Sequence, residues 1–376
     1  MKIKKIIICL ICFSSCVFAS YAESSQNVRV AILQDIQSAR VKVGGFYEII
    51  AADNNEVLYR GKNLNTTITT CKDGIVIAGL VFKRKSVLLK AADVEAIILN
   101  DRKFRGNIEI IRNNLNLSLI NHIELEDYVK GILYHEASHY WPIEALKAQA
   151  VVCRTYAVYQ MQANSSKDFD VTSDIYSQVY GGKTSERYRT TQAVEVTQGK
   201  ILIYQGKVFP SYYHATCAGH TEDASLLWNI NLPPLKGVVC NFCKDSPHYS
   251  WHFDISKNKL TEKLSPAGFK IDNIENAVIL GRDSSGRVTK LKINGNKKNI
   301  EISAKDLRNI LGPNLLRSTN FNVSVVGNDL VFQGLGWGHG AGLCQWGAYF
   351  MAKQGAKFDE ILKYYYPGAQ ISSVVK

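Results

Sequence analysis

Apolar positions along the chain change period, and the change divides it. From Val28 to about Asn121 they come in short runs separated by Gly and Asn turns. Residues 28–33 (VRVAIL) alternate and predict a first strand, and residues 74–77, 86–89 and 107–111 read the same way. At Glu124 the spacing becomes helical. Leu125, Val129 and Ile132 fall on one face, and Glu124, Glu126 and Asp127 lie near the start, where the helix dipole favours acids. Pro142 ends this helix, because proline drives Trp141 out of the α region while suiting the first turn of the next. A second helix is expected over about 143–162, with Ala145, Leu146, Ala148, Ala150, Val151 and Ala157 as its packing face. Further on, strand-like runs stand at 200–204, 208–215, 277–280 and 288–293. Helices are expected at 257–264, 304–311 (capped by Ser303 with Asp306), 343–354 and 358–364. The pattern predicts an α+β protein: a mixed, β-rich domain with a long helix pair over 107–376, after a smaller β-rich region over 23–106.

The first 22 residues carry the marks of an export signal. Lys2, Lys4 and Lys5 precede an apolar run from Ile6 to Phe18, and small residues follow at Ala19, Ser20 and Ala22, where a peptidase would cut. The run is short for a membrane span. A retained anchor and a lipid attached at Cys16 are the alternatives, although Phe13-Ser14-Ser15 leads poorly into the latter. The chain has 376 residues and a formal charge of +12, and losing the three signal lysines leaves about +9. A basic exported protein meets anionic wall polymers and lipid head groups. Export places it in the periplasm, the envelope or the medium, and argues against nucleic acid as a partner. Cys9, Cys12 and Cys16 leave with the signal; Cys71, Cys153, Cys217, Cys240, Cys243 and Cys344 remain. A chain this large does not need disulfide staples.

Three constellations carry candidate chemistry. The first, His135-Glu136-Ala137-Ser138-His139, has the form H-E-x-x-H, in which two histidines hold zinc and the Glu activates water. Pro142 stops this helix almost at His139, and no Gly-spaced third His follows, so a metalloprotease is disfavoured. What stays is Glu136 beside Tyr134, Tyr140 and Trp141 at a helix break. Desolvation there would raise its pKa, as a general acid near neutral pH requires. An ordinary polar helix end is the plain alternative. The second is the glycine-dense stretch 334–342, leading into Cys344-Gln345-Trp346-Gly347-Ala348. It lacks G-x-G-x-x-G spacing, and is expected either to shape a groove around His339 or to be a structural turn. The third is Cys217, Cys240 and Cys243, with His214, His220 and His248 nearby. Cys-x-x-Cys with one remote Cys and one His, taken as His214, would make a structural zinc site. A Cys240–Cys243 or Cys217–Cys240 disulfide competes with it. Cys153 and Cys344 read as buried thiols. No cofactor is expected for catalysis.

Several separated blocks occur in one order: Leu125-Glu126-Asp127-Tyr128 with Gly131, the Glu136 turn, residues 141–151 (WPIEALKAQAV), Arg154-Thr155-Tyr156-Ala157 and Gln178-Val179-Tyr180. Then come Thr197-Gln198-Gly199, Gly336-Trp337-Gly338-His339-Gly340, Gln345-Trp346-Gly347-Ala348 and Tyr365-Tyr366-Pro367-Gly368. In these the chain, from about Asn107 to its end, resembles the stage II sporulation protein D family of lytic transglycosylases, which also includes amidase enhancers. The resemblance implies a catalytic domain over 107–376 that cuts the MurNAc-GlcNAc bond of peptidoglycan, on strands stripped of their peptides, with Glu136 as acid. A non-catalytic, wall-binding enhancer of a partner amidase is the alternative. The family's basic residues fall on Lys147 and Arg154, two helical turns apart, where both would face one groove. Gln178, Tyr180, His339 and Gln345 stand in the other blocks and are expected to contact the strand. His135, His139 and Cys344 depart from the family pattern. The cysteine cluster looks like that of envelope homologues outside spore-formers, so sporulation is not implied. One acid suffices for this chemistry, because the muramic 6-hydroxyl attacks its own anomeric carbon, whereas ordinary glycosidases need two carboxylates.

Overall fold

The structure, a computed structural model, describes residues 27–92 and 95–374, so the expected export signal, Cys16 included, lies outside the described residues. The described residues begin with ten strands: β1 (Asn27–Ile36), β2 (Ala39–Ala51), β3 (Val57–Cys71), β4 (Gly74–Ile77), β5 (Leu80–Phe82), β6 (Ser86–Ala91), β7 (Ile97–Leu99), β8 (Arg102–Phe104), β9 (Asn107–Asn113) and β10 (Asn116–Glu124). With β11 (Val171–Thr172) they form one sheet in the order β11-β1-β10-β9-β6-β2-β3-β4-β5, and the β7–β8 hairpin pairs with β2. Its neighbours are antiparallel apart from β1 and β11. Alternation makes β2: Val41, Val43, Tyr47 and Ile49 are buried while Arg40, Lys42 and Phe46 face out. The long β2–β3 hairpin is not legible in the sequence, since β3 buries only Leu64 and Ile68 and so shows no apolar alternation.

The division expected between residues 106 and 107 is corrected. β9 pairs with β6, and β10 with β1. One core runs from Val28 through Ile123 into the two helices α1 (Leu125–Glu136) and α2 (Ile143–Ala163). The hydrogen-bond ladder crosses the proposed boundary, so residues 107–124 fold with the N-terminal sheet.

α2 is buried on nearly every side from Ala145 to Val158, as a helix without a polar face must be. It packs against α1, α3 (Tyr188–Val196), α7 (Gln345–Lys353) and α8 (Phe358–Tyr365). α3 escapes sequence reading because its β-branched residues are weak helix formers; Ala193 and Val194, packed in the first core, hold it there. Beyond α3 the expected strand at 200–204 is β12 (Lys200–Tyr204). The run expected over 208–215 is only β13 (Lys207–Val208) and β14 (Tyr213–His214), since Pro210 between them cannot join a ladder.

A second core joins Ala148, Val151 and Val152 of α2 to Cys217, Leu343, Tyr365 and Tyr366, next to the short helix α4 (Ala224–Trp228). A third core is separate. It is built from β15 (Ser250–Ser256), α5 (Lys257–Leu264), β16 (Ile274–Arg282), β17 (Val288–Gly295), β18 (Asn299–Ser303), α6 (Ala304–Leu311), β19 (Phe321–Val326) and β20 (Asp329–Leu335). Ser303 caps α6, its hydroxyl accepting from the Asp306 N–H at 2.9 Å. Glycine-rich residues 336–342 leave this unit and return as β21 (Leu343–Cys344), parallel to β14. Strand β22 (Gln370–Ser373) closes on β12. Among the described residues no helix is long and apolar enough to cross a membrane.

Candidate active site

The break between α1 and α2 is held from two sides. The Arg189 guanidinium donates to the carbonyls of His139 and Trp141, both at 2.9 Å, and the Trp141 ring packs on Trp346 and Tyr349. Glu136 is the last residue of α1, and Ala137 is already extended. The carbonyls of a final turn lack helical partners; that of Glu136 accepts from Nε2 of Gln345 at 2.8 Å. Its side chain enters a cavity of about 450 Å³ whose walls include Tyr156, Tyr212, Trp228, Trp337 and His339. Of the described residues lining that cavity, Glu136 is the one carboxylate. Burial pushes its pKa up to about 7, against weaker opposing pulls from the Val179 N–H and the Tyr213 hydroxyl. The Val179 N–H lies 3.2 Å from Oε1. The pair keeps the ionised form accessible without making it dominant, which suits a group that must both give and take a proton.

Behind Glu136 lies a chain of hydrogen bonds. Gln178 donates to the Tyr213 hydroxyl at 3.3 Å and accepts from Tyr128 at 3.1 Å. On the opposite wall, His214 Nδ1 faces the Ala341 carbonyl at 3.1 Å, leaving Nε2 buried without a partner. Burial and the Arg287 charge push His214 down to about 3. Burial first, then His214 and two arginines, lowers His339 too, so both rings are neutral at pH 7. The glycines permit this wall. Gly338 has φ +116°, and a Cβ there would stand 2.6 Å from the His214 Cβ. Arg308 of α6 also lines the cavity. Burial lowers its pKa to about 10, so it stays charged, and among the described residues no carboxylate pairs with it; its Nε donates to the Arg317 carbonyl.

Glu136, His339 and Gln345 come together at the cavity; other expected contact residues do not. Arg154 is fully buried and clamps Glu126 through two hydrogen bonds of 2.8 and 2.7 Å. It joins α2 to the start of α1, so its expected place in the groove is corrected. Lys147 pairs with Glu144 at 2.8 Å, and Glu144 in turn accepts from the N–H of Phe358. That face of α2 meets α8 and not the cavity. Tyr180 is a core residue bonded to Asn121 at 2.7 Å, and Gln178 acts from behind Tyr213. Sequence reasoning missed Tyr156, Tyr212, Trp228 and Arg308. Only Arg308 carried a signal, a cation on the polar side of a strongly amphipathic helix, and many surface arginines share it.

The zincin spelling dissolves. His135 binds the Ser185 hydroxyl at 2.6 Å, and His139 lies past the helix end against Tyr134 and Tyr140, so the two do not share a helical face. Among the described residues, a metal-sized cluster forms from Cys217, Cys240, Cys243 and Cys344. His214, expected as the fourth ligand, stands in the cavity wall, and Cys344, its partner across β14–β21, lies beside the other three sulfurs.

Two family models and several known proteins match the chain. A family model described as stage II sporulation protein matches residues 113–204, which hold α1, the break, α2 and Gln178. A domain of unknown function matches residues 239–342, which hold the third core and the glycine-rich segment. An uncharacterized protein of Brachyspira hyodysenteriae is 36% identical over 93% of this chain and 94% of its own length. Stage II sporulation protein D of Bacillus subtilis is 36% identical over 67% of this chain and 76% of its own length. The amidase enhancer of the same species is 27% identical over 65% of this chain and 40% of its own length.

Proposed function

From the premise that this chain belongs to the stage II sporulation protein D family, we propose that it works on the bacterial cell wall as an exported lytic transglycosylase of peptidoglycan. The observation that carries this is the lone carboxyl of Glu136, tuned to about 7 within an aromatic-walled cavity. Protonated Glu136 gives its proton to the glycosidic oxygen as the bond from MurNAc C1 to that oxygen breaks. The resulting carboxylate then takes the proton of the C6 hydroxyl of the same MurNAc as that oxygen bonds to C1. The products are a 1,6-anhydro-MurNAc end and a free GlcNAc 4-hydroxyl, and Glu136 is protonated again. No bound water and no second carboxylate is required.

The walls support the reading. Tyr212 and Trp228, packed ring on ring at 4.2 Å, line the cavity with aromatic surface for the apolar sides of sugars. Arg308 would hold the lactyl carboxylate, standing as the cation in the groove where Lys147 and Arg154 were expected. A strand stripped of its peptides fits a site with this one cation. The alternative, a wall-binding enhancer of an amidase, is favoured by the name of one Bacillus relative.

One experiment separates the two. Purified protein is incubated with peptidoglycan and the products are read by mass spectrometry. Wild type is expected to produce anhydromuramic ends and Glu136→Gln to produce none. If neither cuts and both stimulate an added amidase equally, the transglycosylase reading falls.

A further inference from the structure

Cys217, Cys240, Cys243 and Cys344 come from three segments spread over residues 217–344, yet all four are buried and their sulfurs lie within 4.8 Å of one another. The Cys217 and Cys243 sulfurs are 3.5 Å apart, far beyond the roughly 2.05 Å of a disulfide. Zinc–sulfur bonds of about 2.3 Å in a tetrahedron place sulfurs about 3.8 Å apart, so the cluster has the size to close around one ion. Its surroundings are those of thiolates. The N–H groups of Cys217 and Gly347 both point at the Cys344 sulfur from 3.3 Å, and the Tyr365 hydroxyl lies 3.2 Å from that of Cys240. A neutral thiol is a poor acceptor and gains little from two N–H donors, whereas a metal-bound thiolate is oriented and stabilised by them. Gly347 permits this approach, since a Cβ there would stand 1.9 Å from the Tyr365 hydroxyl and 3.0 Å from the Cys240 sulfur.

We propose that these four cysteines form a closed tetrathiolate site holding one structural zinc ion. Four sulfur ligands fill the tetrahedron and leave no position for substrate or water, so the ion takes no part in cutting glycan. Its effect is mechanical. It ties the end of the β14 segment, the Cys240–Cys243 turn and the start of α7 together. Cys344 is followed at once by Gln345, which holds the Glu136 carbonyl, so the ion braces the residue that fixes the backbone of the acid. The site stands on the sulfur geometry alone and does not depend on what Glu136 does.

The test is metal content. Full-length protein is purified without chelators, and its metals are measured by mass spectrometry beside a thiol titration in denaturant with EDTA. One zinc per chain with every cysteine titratable as a free thiol is expected. Cys344→Ser should lose the zinc, while His214→Ala and Cys71→Ser should keep it. Should Cys344→Ser fail to fold, cobalt(II) exchanged into the wild type still decides, since four thiolates give a tetrahedral charge-transfer spectrum of distinct intensity. Metal-free protein with disulfides among these cysteines, iron in place of zinc, or zinc that survives Cys344→Ser and leaves with His214→Ala would each overturn the site.

Discussion

Replacing Glu136 by Gln should abolish cutting and at the same time strengthen the fold, and the gain should depend on pH. The side chain is held where its charge is poorly solvated, so its pKa rises from 4.5 to about 7. An acid whose folded pKa lies above its unfolded one weakens the fold as pH climbs through that interval, because the unfolded chain ionises first. A shift of this size corresponds to about 3 kcal/mol once pH exceeds both values, and to almost nothing below pH 4. Glutamine keeps an oxygen for the Val179 N–H and carries no charge, so it escapes the penalty. Urea unfolding of wild type and variant should therefore agree at pH 4 and diverge by about 3 kcal/mol at pH 8, the variant being the more stable. Such a gain on removing a working residue is the expected trade between stability and activity. A constant difference across pH, or a variant weaker at pH 8, would mean that Glu136 is not desolvated, and the case for it as an acid would go.

Three further outcomes follow from the same geometry. Tyr213→Phe removes a hydrogen bond to the carboxylate worth about 1.5–3 kcal/mol, so the alkaline limb of kcat/KM should move up by about one to two pH units; an unmoved limb would contradict the assignment of Tyr213. Arg308→Gln should raise KM by about tenfold or more with a smaller effect on kcat, since its charge has no other carboxylate to meet, whereas Lys147→Gln should leave both nearly unchanged; steady-state kinetics on defined glycan strands would show this. Arg154→Met should cost about 3–5 kcal/mol by stranding Glu126 next to the protein interior, seen as a fall in Tm, with KM preserved in whatever protein folds.

The helix pair and its break were plain in the sequence because local rules decide them. Apolar residues three and four apart, acids in the first turn and a proline leave few other solutions, and α1 and α2 begin and end almost where the pattern places them. The long hairpin of β2 and β3 and the helix α3 were not, because exposed strands need no apolar period and a helix of weak formers is held by its neighbours. The site divides in the same way. Glu136 stood out as a carboxyl among aromatic residues at a helix end. Lys147 and Arg154 were assigned to one groove from their spacing on α2, but spacing cannot tell which neighbour covers a face, and both cations meet carboxylates elsewhere.

Taken alone, the amino-acid order settled the α+β class and the helix break, and put Glu136 at that break, since each rests on residues within a few positions of one another. Tertiary structure alone decided which groups face that acid. The third core delivers Arg308, the 213–214 strand delivers the histidine wall, and Cys344 displaces His214 beside the other three sulfurs. Those neighbours lie about 80 to 210 residues from Glu136, and their meeting depends on how separate cores pack, a long-range burial of apolar surface that leaves no local trace.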